Sequence, residues 1–130
     1  MSANALREQS EPTDLLITIE GAMAAACIDW KAGVCVWSIG DEAVDMNALV
    51  ARGLNMIRTR AAGSTELNDS GRLEDILITF GQHFHILHIC DEEPSRLIYL
   101  VLDRDSGNLA LARHQMAELC NFDGSAYQRT

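Results

Sequence analysis

The chain has 130 residues, a formal net charge of −9 at pH 7 and 48% hydrophobic residues. This length suits one domain with one core, and so large an apolar fraction argues against disorder over most of the chain. An acidic chain without a basic patch is repelled by phosphate backbones, so nucleic acid is a poor candidate partner. No apolar run approaches the ~18 residues of a membrane helix, and the N-terminus lacks the apolar segment of a signal peptide.

The four cysteines are Cys27, Cys35, Cys90 and Cys120, and none belongs to a CxxC pair. Each lies within an apolar segment, as buried free cysteines do. We therefore expect four reduced thiols in a cytoplasmic protein rather than a disulfide framework. Cys27 and Cys35 fall on facing strands, but packing is a better account of them than redox chemistry.

The N-terminal part of the chain predicts an arm, a short helix and a hairpin. Residues 1–12 are polar and indicate a flexible arm, and Thr13 can cap a helix over residues 14–20 with Leu16 and Ile19 facing inward. Residues 22–29 and 34–39 read as two apolar strands. Between them, Trp30 to Gly33 predict a tight turn, in which Gly33 supplies any positive φ.

Residues 41–62 predict one long helix. Asp41 can cap its start, and Gly63 provides the residue type that ends a helix most easily. One stripe at helical spacing belongs on the chain's own core: Met46, Leu49, Val50, Gly53, Leu54, Ile57 and Ala61.

A second stripe lies roughly opposite the first: Val44, Ala48, Ala51, Asn55 and Ala62. The outer face of a surface helix is usually charged. Small uncharged residues there fit either an Ala-rich surface helix, since alanine favours helices, or a helix covered by a second protein. The second interpretation predicts a helix between its own sheet and a partner.

Three strands and a final helix follow. Residues 73–80 read as an edge strand because charged residues at its start discourage open-ended pairing. A two-residue turn at Gly81 and Gln82 leads to a strand over residues 83–90. The almost wholly apolar run over residues 96–103 predicts a strand in the middle of the sheet. Asp105 and Ser106 then open a helix over residues 107–120, with Leu109, Ala112, Met116 and Leu119 inward.

The predicted order is α-β-β-α-β-β-β-α, which gives an α+β fold: three helices covering one five-stranded antiparallel sheet. Residues 13–121 form the domain, and residues 122–130 read as a mobile tail.

This order, together with the segment DRDSGNLALARHQMAEL, resembles the Roadblock/dynein light-chain family in its bacterial form. Members often show a strand ending in Asp and then an Asn-Leu-x-x-x-Arg start to the last helix; here these are Asp103, Asn108, Leu109 and Arg113. The segment GAMAAACIDWKAGVCVWSIG is similar to the family's first hairpin. The first strand is unusually rich in alanine, and Trp30 stands where a small polar residue is commoner.

The resemblance implies a profilin-like Roadblock fold and a non-enzymatic scaffold. Such domains usually dimerise through the edge strand and the long helix, and the paired helices dock a small Ras-like GTPase or a larger scaffold. Here the implied dimer interface is Leu73, Asp75, Ile76, Leu77, Ile78 and Phe80. The implied partner-binding platform is Val44, Ala48, Ala51, Arg52, Asn55 and Thr59.

Local chemistry adds few alternatives. His83 and His85 share a strand face and could bind a metal with a third ligand, but neutral, hydrogen-bonded histidines beside a helix are the more ordinary interpretation. Among the arginines, Arg52, Arg58 and Arg60 could reach a partner's active site as a finger. We expect no cofactor and no resident metal, since no phosphate-binding or catalytic motif is present.

A second class of function is a small-ligand sensor of the GAF or PAS type, because those domains have a similar order of helices and strands. A sensor needs a pocket with convergent polar groups between sheet and helices. The strands that would line such a pocket carry Ala, Val, Ile and Leu instead.

Overall fold

The computed structural model describes residues 18–40, 44–61, 73–90 and 95–121; for Arg60 and Ala61 it describes the backbone only. The predicted N-terminal arm, all but the end of the first helix, the polar loop after the long helix and the C-terminal tail lie outside these residues. The described elements are β1 (Ala22–Asp29), β2 (Val34–Gly40), α1 (Met46–Ala61), β3 (Asp75–Thr79), β4 (His83–Ile89), β5 (Arg96–Asp103) and α2 (Leu109–Leu119).

The five strands form one antiparallel sheet in the order β2-β1-β5-β4-β3. The prediction that β5 is central and β3 lies at an edge is confirmed. Helix α1 packs over β1 and β2, whereas α2 packs on the other face over β4 and β5. Two of the three predicted helices are described. Of the predicted first helix the structure describes only the end, where Ile19 is buried in the α2-side core.

Both helices begin later than predicted, because a nearer polar side chain caps each one. The α1 cap is Asp45, whose carboxylate accepts from the Ala48 N–H at 3.1 Å; Asp41, the predicted cap, lies outside the described residues. The α2 cap is Asn108, whose side-chain oxygen accepts from the Leu111 N–H at 3.0 Å. The Asp103 carboxylate instead accepts from the backbone N–H and the hydroxyl of Ser106, so the predicted helix opening forms a turn.

The α1-side core depends on a close approach between the helix and the sheet. A Cβ at Gly53 would lie 2.8 Å from the Tyr99 ring and 3.2 Å from Ile28. Ala24 and Ala26, both fully buried, leave room for α1 beneath the same face. The inward stripe predicted for the long helix is confirmed at the positions whose side chains are described: Met46, Leu49, Val50, Gly53, Leu54 and Ile57.

The expectation of four reduced cysteines is wrong for two of them. Cys90 follows β4, Cys120 follows α2, and the two form a disulfide with their Cα atoms 5.6 Å apart. The pairing arises because the end of α2 lies beside the end of β4, a contact that spacing along the chain does not reveal. Cys27 and Cys35 remain free thiols, and burial raises the pKa of Cys27 to about 11.

We predict that Gly53→Ala destabilises the fold although alanine favours helices by about 1 kcal/mol over glycine. The added methyl group must displace the buried Tyr99 ring, and such overpacking costs roughly 1–3 kcal/mol. Urea unfolding should therefore show a net loss of stability. Asn55→Ala, on the exposed face of the same helix, is the matched control and should change stability by only about 0.5 kcal/mol. A Gly53→Ala protein more stable than wild type would contradict the close packing.

Candidate functional site

The outer face of α1 carries most of the predicted platform. Ala48, Ala51, Arg52, Asn55 and Thr59 are all exposed on this helix. Val44 differs, because it precedes the helix, is half-buried and packs against the α1-side core. The structure therefore brings five of the six predicted residues onto one surface, which we call the α1 platform.

The α1 platform is nearly neutral. Its one charged residue is Arg52, and the Thr59 hydroxyl donates to the backbone carbonyl of Asn55 at 2.9 Å within the helix itself. Arg58, considered above as a possible finger, instead donates to the carbonyl of Trp30 in the β1–β2 turn. The Arg60 side chain lies outside the described residues. Among the three arginines, Arg52 is the one whose described side chain lies on the platform.

The predicted dimer strand divides its side chains between the two faces of the sheet. Ile78 is paired with His85 and Ile76 with Leu87, so both lie on the α1 face. On the α2 face, Asp75 forms a 3.0 Å salt bridge with Arg113 of α2. Two large apolar side chains remain exposed along the edge, Leu77 at 37% and Phe80 at 44%. Leu73 is half-buried against the α1-side core.

Alternate backbone groups of β3 point away from the sheet. The carbonyl of Glu74 accepts from the Ile89 N–H at 2.9 Å, and the Phe80 N–H donates to the carbonyl of His83 at 2.8 Å. In an antiparallel ladder these bonds alternate, so the even-numbered residues pair with β4. The N–H and carbonyl groups of Asp75, Leu77 and Thr79 then face the open edge. Among the described residues, no further strand pairs with them.

A polar network links α1 to this edge. Tyr99 lies fully buried in β5, and its hydroxyl is 2.6 Å from Nδ1 of His85. This distance is that of a hydrogen bond, in which the tautomer of His85 decides which group donates. Burial raises the pKa of Tyr99, and the nearby Arg52 acts in the opposite direction. Phe80 packs edge-on to the His85 ring, with ring centroids 4.8 Å apart. The sequence indicates that His85 shares a strand face with His83 beside a helix, without indicating which helix, and it gives Tyr99 only as part of an apolar strand.

The His85 imidazole is neutral at physiological pH. Burial lowers its pKa to about 4, and the positive charge of Arg52 acts in the same direction. For His85 the hydrogen bond and the lowered pKa agree with the interpretation of a neutral, hydrogen-bonded histidine. Within the described residues, no set of three or more His, Cys, Asp or Glu side chains is placed to hold a metal ion. No described helix is long and apolar enough to cross a membrane.

We predict that His85 makes the protein lose stability as the pH falls from about 6.5 to about 4. In this window the unfolded histidine binds a proton that the folded one excludes, so the free energy of unfolding falls by up to about 1.4 kcal/mol per pH unit. His85→Asn keeps a polar atom near Tyr99 but cannot titrate. Thermal unfolding across this range should show a shallower pH dependence in the variant. Equal slopes in the two proteins would contradict the assignment.

Comparisons with known proteins identify solved structures that share this architecture. No protein-family model and no curated protein matches the sequence. Among solved structures, a Roadblock/LC7 domain from Streptomyces avermitilis superposes with a TM-score of 0.69 at 12% identity, covering 91% of this chain and 94% of that one. MglB from Myxococcus xanthus gives 0.64 at 13%, covering 92% and 98%. The gliding protein MglB from Thermus thermophilus gives 0.67 at 15%, covering 99% and 95%.

At these sequence identities, the similarity to the solved structures shows the fold of the backbone. The chain has the Roadblock/LC7 fold.

Proposed function

We propose that the chain is a non-enzymatic, cytoplasmic interaction module that forms a homodimer and docks, and thereby regulates, a small Ras-like GTPase or a larger scaffold. The observation that carries this proposal is the α1 platform. It is a surface of small, nearly neutral residues in a chain whose net charge is −9. Removing water from a helix face of this kind costs little free energy, and its small side chains let another protein surface approach closely.

The platform lies on one side of the sheet, on a helix that packs over β1 and β2, and β3 is the edge strand at the other end of the sheet. In the sheet order, β5 and β4 lie between those two strands and β3. A dimer formed along β3 with a continuous sheet would place two platforms on the same side of that sheet. The Roadblock/LC7 fold supports this arrangement, and one similar solved structure is described as MglB with a tetrameric arrangement.

The alternative of a small-ligand sensor has less support. A ligand of the GAF or PAS kind would occupy the space between the long helix and the sheet. Here the Tyr99 ring already lies against Gly53, so closely that a single added methyl group would overlap it. The two polar groups that do converge there, the Tyr99 hydroxyl and the His85 imidazole, bind each other.

We predict that Ala51→Arg separates the two interpretations of the platform. If Ala51 only faces water, the change alters stability by at most about 0.5 kcal/mol and leaves binding intact. If a partner covers it, a buried arginine must overlap the partner or lose its water, which costs several kcal/mol. We expect near-normal thermal unfolding and a loss of partner binding.

The partner is first captured from native cell extract, identified as a GTP-binding protein by mass spectrometry, and purified. Its affinity is then measured with GTP-analogue and GDP forms. Ala117→Arg is the matched control, because Ala117 is exposed on α2, on the opposite face of the sheet. If the Ala51→Arg protein keeps its dimer mass and binds the same GTPase with unchanged affinity, the platform is not the surface that binds the partner.

A further inference from the structure

The disulfide joins a firmly held residue to a weakly held one. Cys90 is 2% exposed in the α2-side core, and its backbone N–H donates to the carbonyl of Arg96 at 3.0 Å, so the sheet fixes its position. Cys120 comes directly after the last residue of α2 and is half-buried. The bond therefore ties the end of a helix to the end of a strand.

The last turn of α2 has little of its own to hold it in helical form. Its residues, Met116 to Leu119, include no basic side chain, and Glu118 puts a negative charge at the negative end of the helix dipole. The hydrogen bond from the Cys120 N–H to the Met116 carbonyl measures 3.3 Å, which is longer than usual. Within the turn, Ala117 and Glu118 are exposed, so burial of Leu119 is the main noncovalent contact that opposes its opening.

The earlier turns of α2 are anchored by contacts that do not involve the disulfide. Met116 is fully buried in the α2-side core. Arg113 forms the 3.0 Å salt bridge with Asp75 of β3, and Nε2 of Gln115 donates to the carbonyl of Thr18 at 2.8 Å. All of these anchors on the helix lie at or before Met116. Breaking the disulfide would therefore release the last turn and leave the earlier turns on the sheet.

We propose that Cys90 and Cys120 form a thiol–disulfide exchange site that latches the last turn of α2 onto the sheet. The proposal rests on the proposed function only in placing the chain in the cytoplasm. In that reducing compartment, a disulfide is usually transient or redox-sensing rather than structural. A bond that holds one weakly stabilised turn suits such a role, because opening it leaves the rest of the domain folded.

The co-reactant is a dithiol reductant. Its thiolate attacks Sγ of Cys120, because Cys120 is half-buried whereas Cys90 is buried. The sulfur of Cys90 leaves as a thiolate and takes up a proton. The second thiol of the reductant then breaks the mixed disulfide and releases Cys120 as a thiol. Two electrons and two protons pass to the protein, the reductant becomes a disulfide, and the same steps in reverse close the latch.

Reduction by thioredoxin tests the exchange. Wild-type protein is incubated with about a tenfold excess of reduced thioredoxin, alkylated under denaturing conditions and analysed by mass spectrometry. We expect most molecules to gain two alkyl groups together, on Cys90 and Cys120, and an excess of oxidised thioredoxin to reverse the change. A disulfide that stays intact under these conditions is a permanent cross-link, and the proposal is then wrong.

Amide hydrogen exchange tests the latch. In the reduced protein and in Cys120→Ser, the amides of Leu119, Cys120 and Asn121 should exchange at least about tenfold faster than in the oxidised protein. The amides of Ala112 and Met116 should keep their protection. Cys35→Ser is the matched control, because Cys35 is a half-buried free thiol on β2, and this variant should exchange as wild type does.

Two results would overturn the latch: equal exchange of the last turn in the oxidised and reduced proteins, or loss of protection along the whole of α2. Both leave the proposed function standing, because dimer mass and GTPase binding are measured separately on the oxidised protein. Conversely, a monomer that binds no GTPase but opens and closes its last turn with the redox state removes the proposed function and keeps the latch.

Discussion

The structure depends on the burial of β5 between two helical layers. Its backbone is paired with β1 on one side and β4 on the other, and its side chains supply both cores alternately. Leu97, Tyr99 and Val101 pack towards α1, whereas Ile98, Leu100 and Leu102 pack towards α2. A strand with both faces covered and both edges paired fixes its register strongly, because a slip by one residue would exchange the two cores. The remaining strands are placed relative to it.

Placing β5 at the centre also positions the polar network. Tyr99 is the residue of this strand whose ring lies against Gly53 of α1. Its hydroxyl meets Nδ1 of His85 from the neighbouring strand, and Arg52 of α1 is near enough to lower the pKa of Tyr99 against the effect of burial. One core residue thus connects the chain's interior, its platform and its open edge. The closeness of α1 to the sheet, which requires glycine at position 53 and alanines in β1, makes this contact possible.

The sequence predicts the elements whose pattern is local. The apolar run of β5, the edge character of β3 and the inward stripe of α1 all follow from residue types at fixed spacing, and each is confirmed. The helix starts were misplaced because several polar residues precede each helix, and each of them is a chemically suitable cap. Cys90 and Cys120 lie 30 residues apart, and only the position of α2 on β4 makes them neighbours.

The candidate site likewise combines features that the sequence predicts with features that it does not. The neutral outer face of α1 could be read from helical spacing, except at Val44, which the turn before the helix directs towards the core. The hydrogen bond between His85 and Tyr99 could not be read, because it requires knowing that β4 and β5 are neighbours and in which register. The available signal was Tyr99, the one residue between Arg96 and Asp103 whose side chain carries a polar group. It indicates that the hydroxyl of Tyr99 needs a partner, without indicating which.

The central claim is that the β3 edge is the surface along which two copies join, and amide hydrogen exchange measures it directly. The N–H groups of Asp75, Leu77 and Thr79 point outward, and those of Ile76 and Ile78 are paired with β4. If β3 is the seam, the outward amides become protected as protein concentration rises through the dimer constant, while Ile76 and Ile78 stay protected throughout. If the three outward amides exchange as an open edge does at concentrations where the protein is dimeric, the copies join elsewhere and the account is wrong.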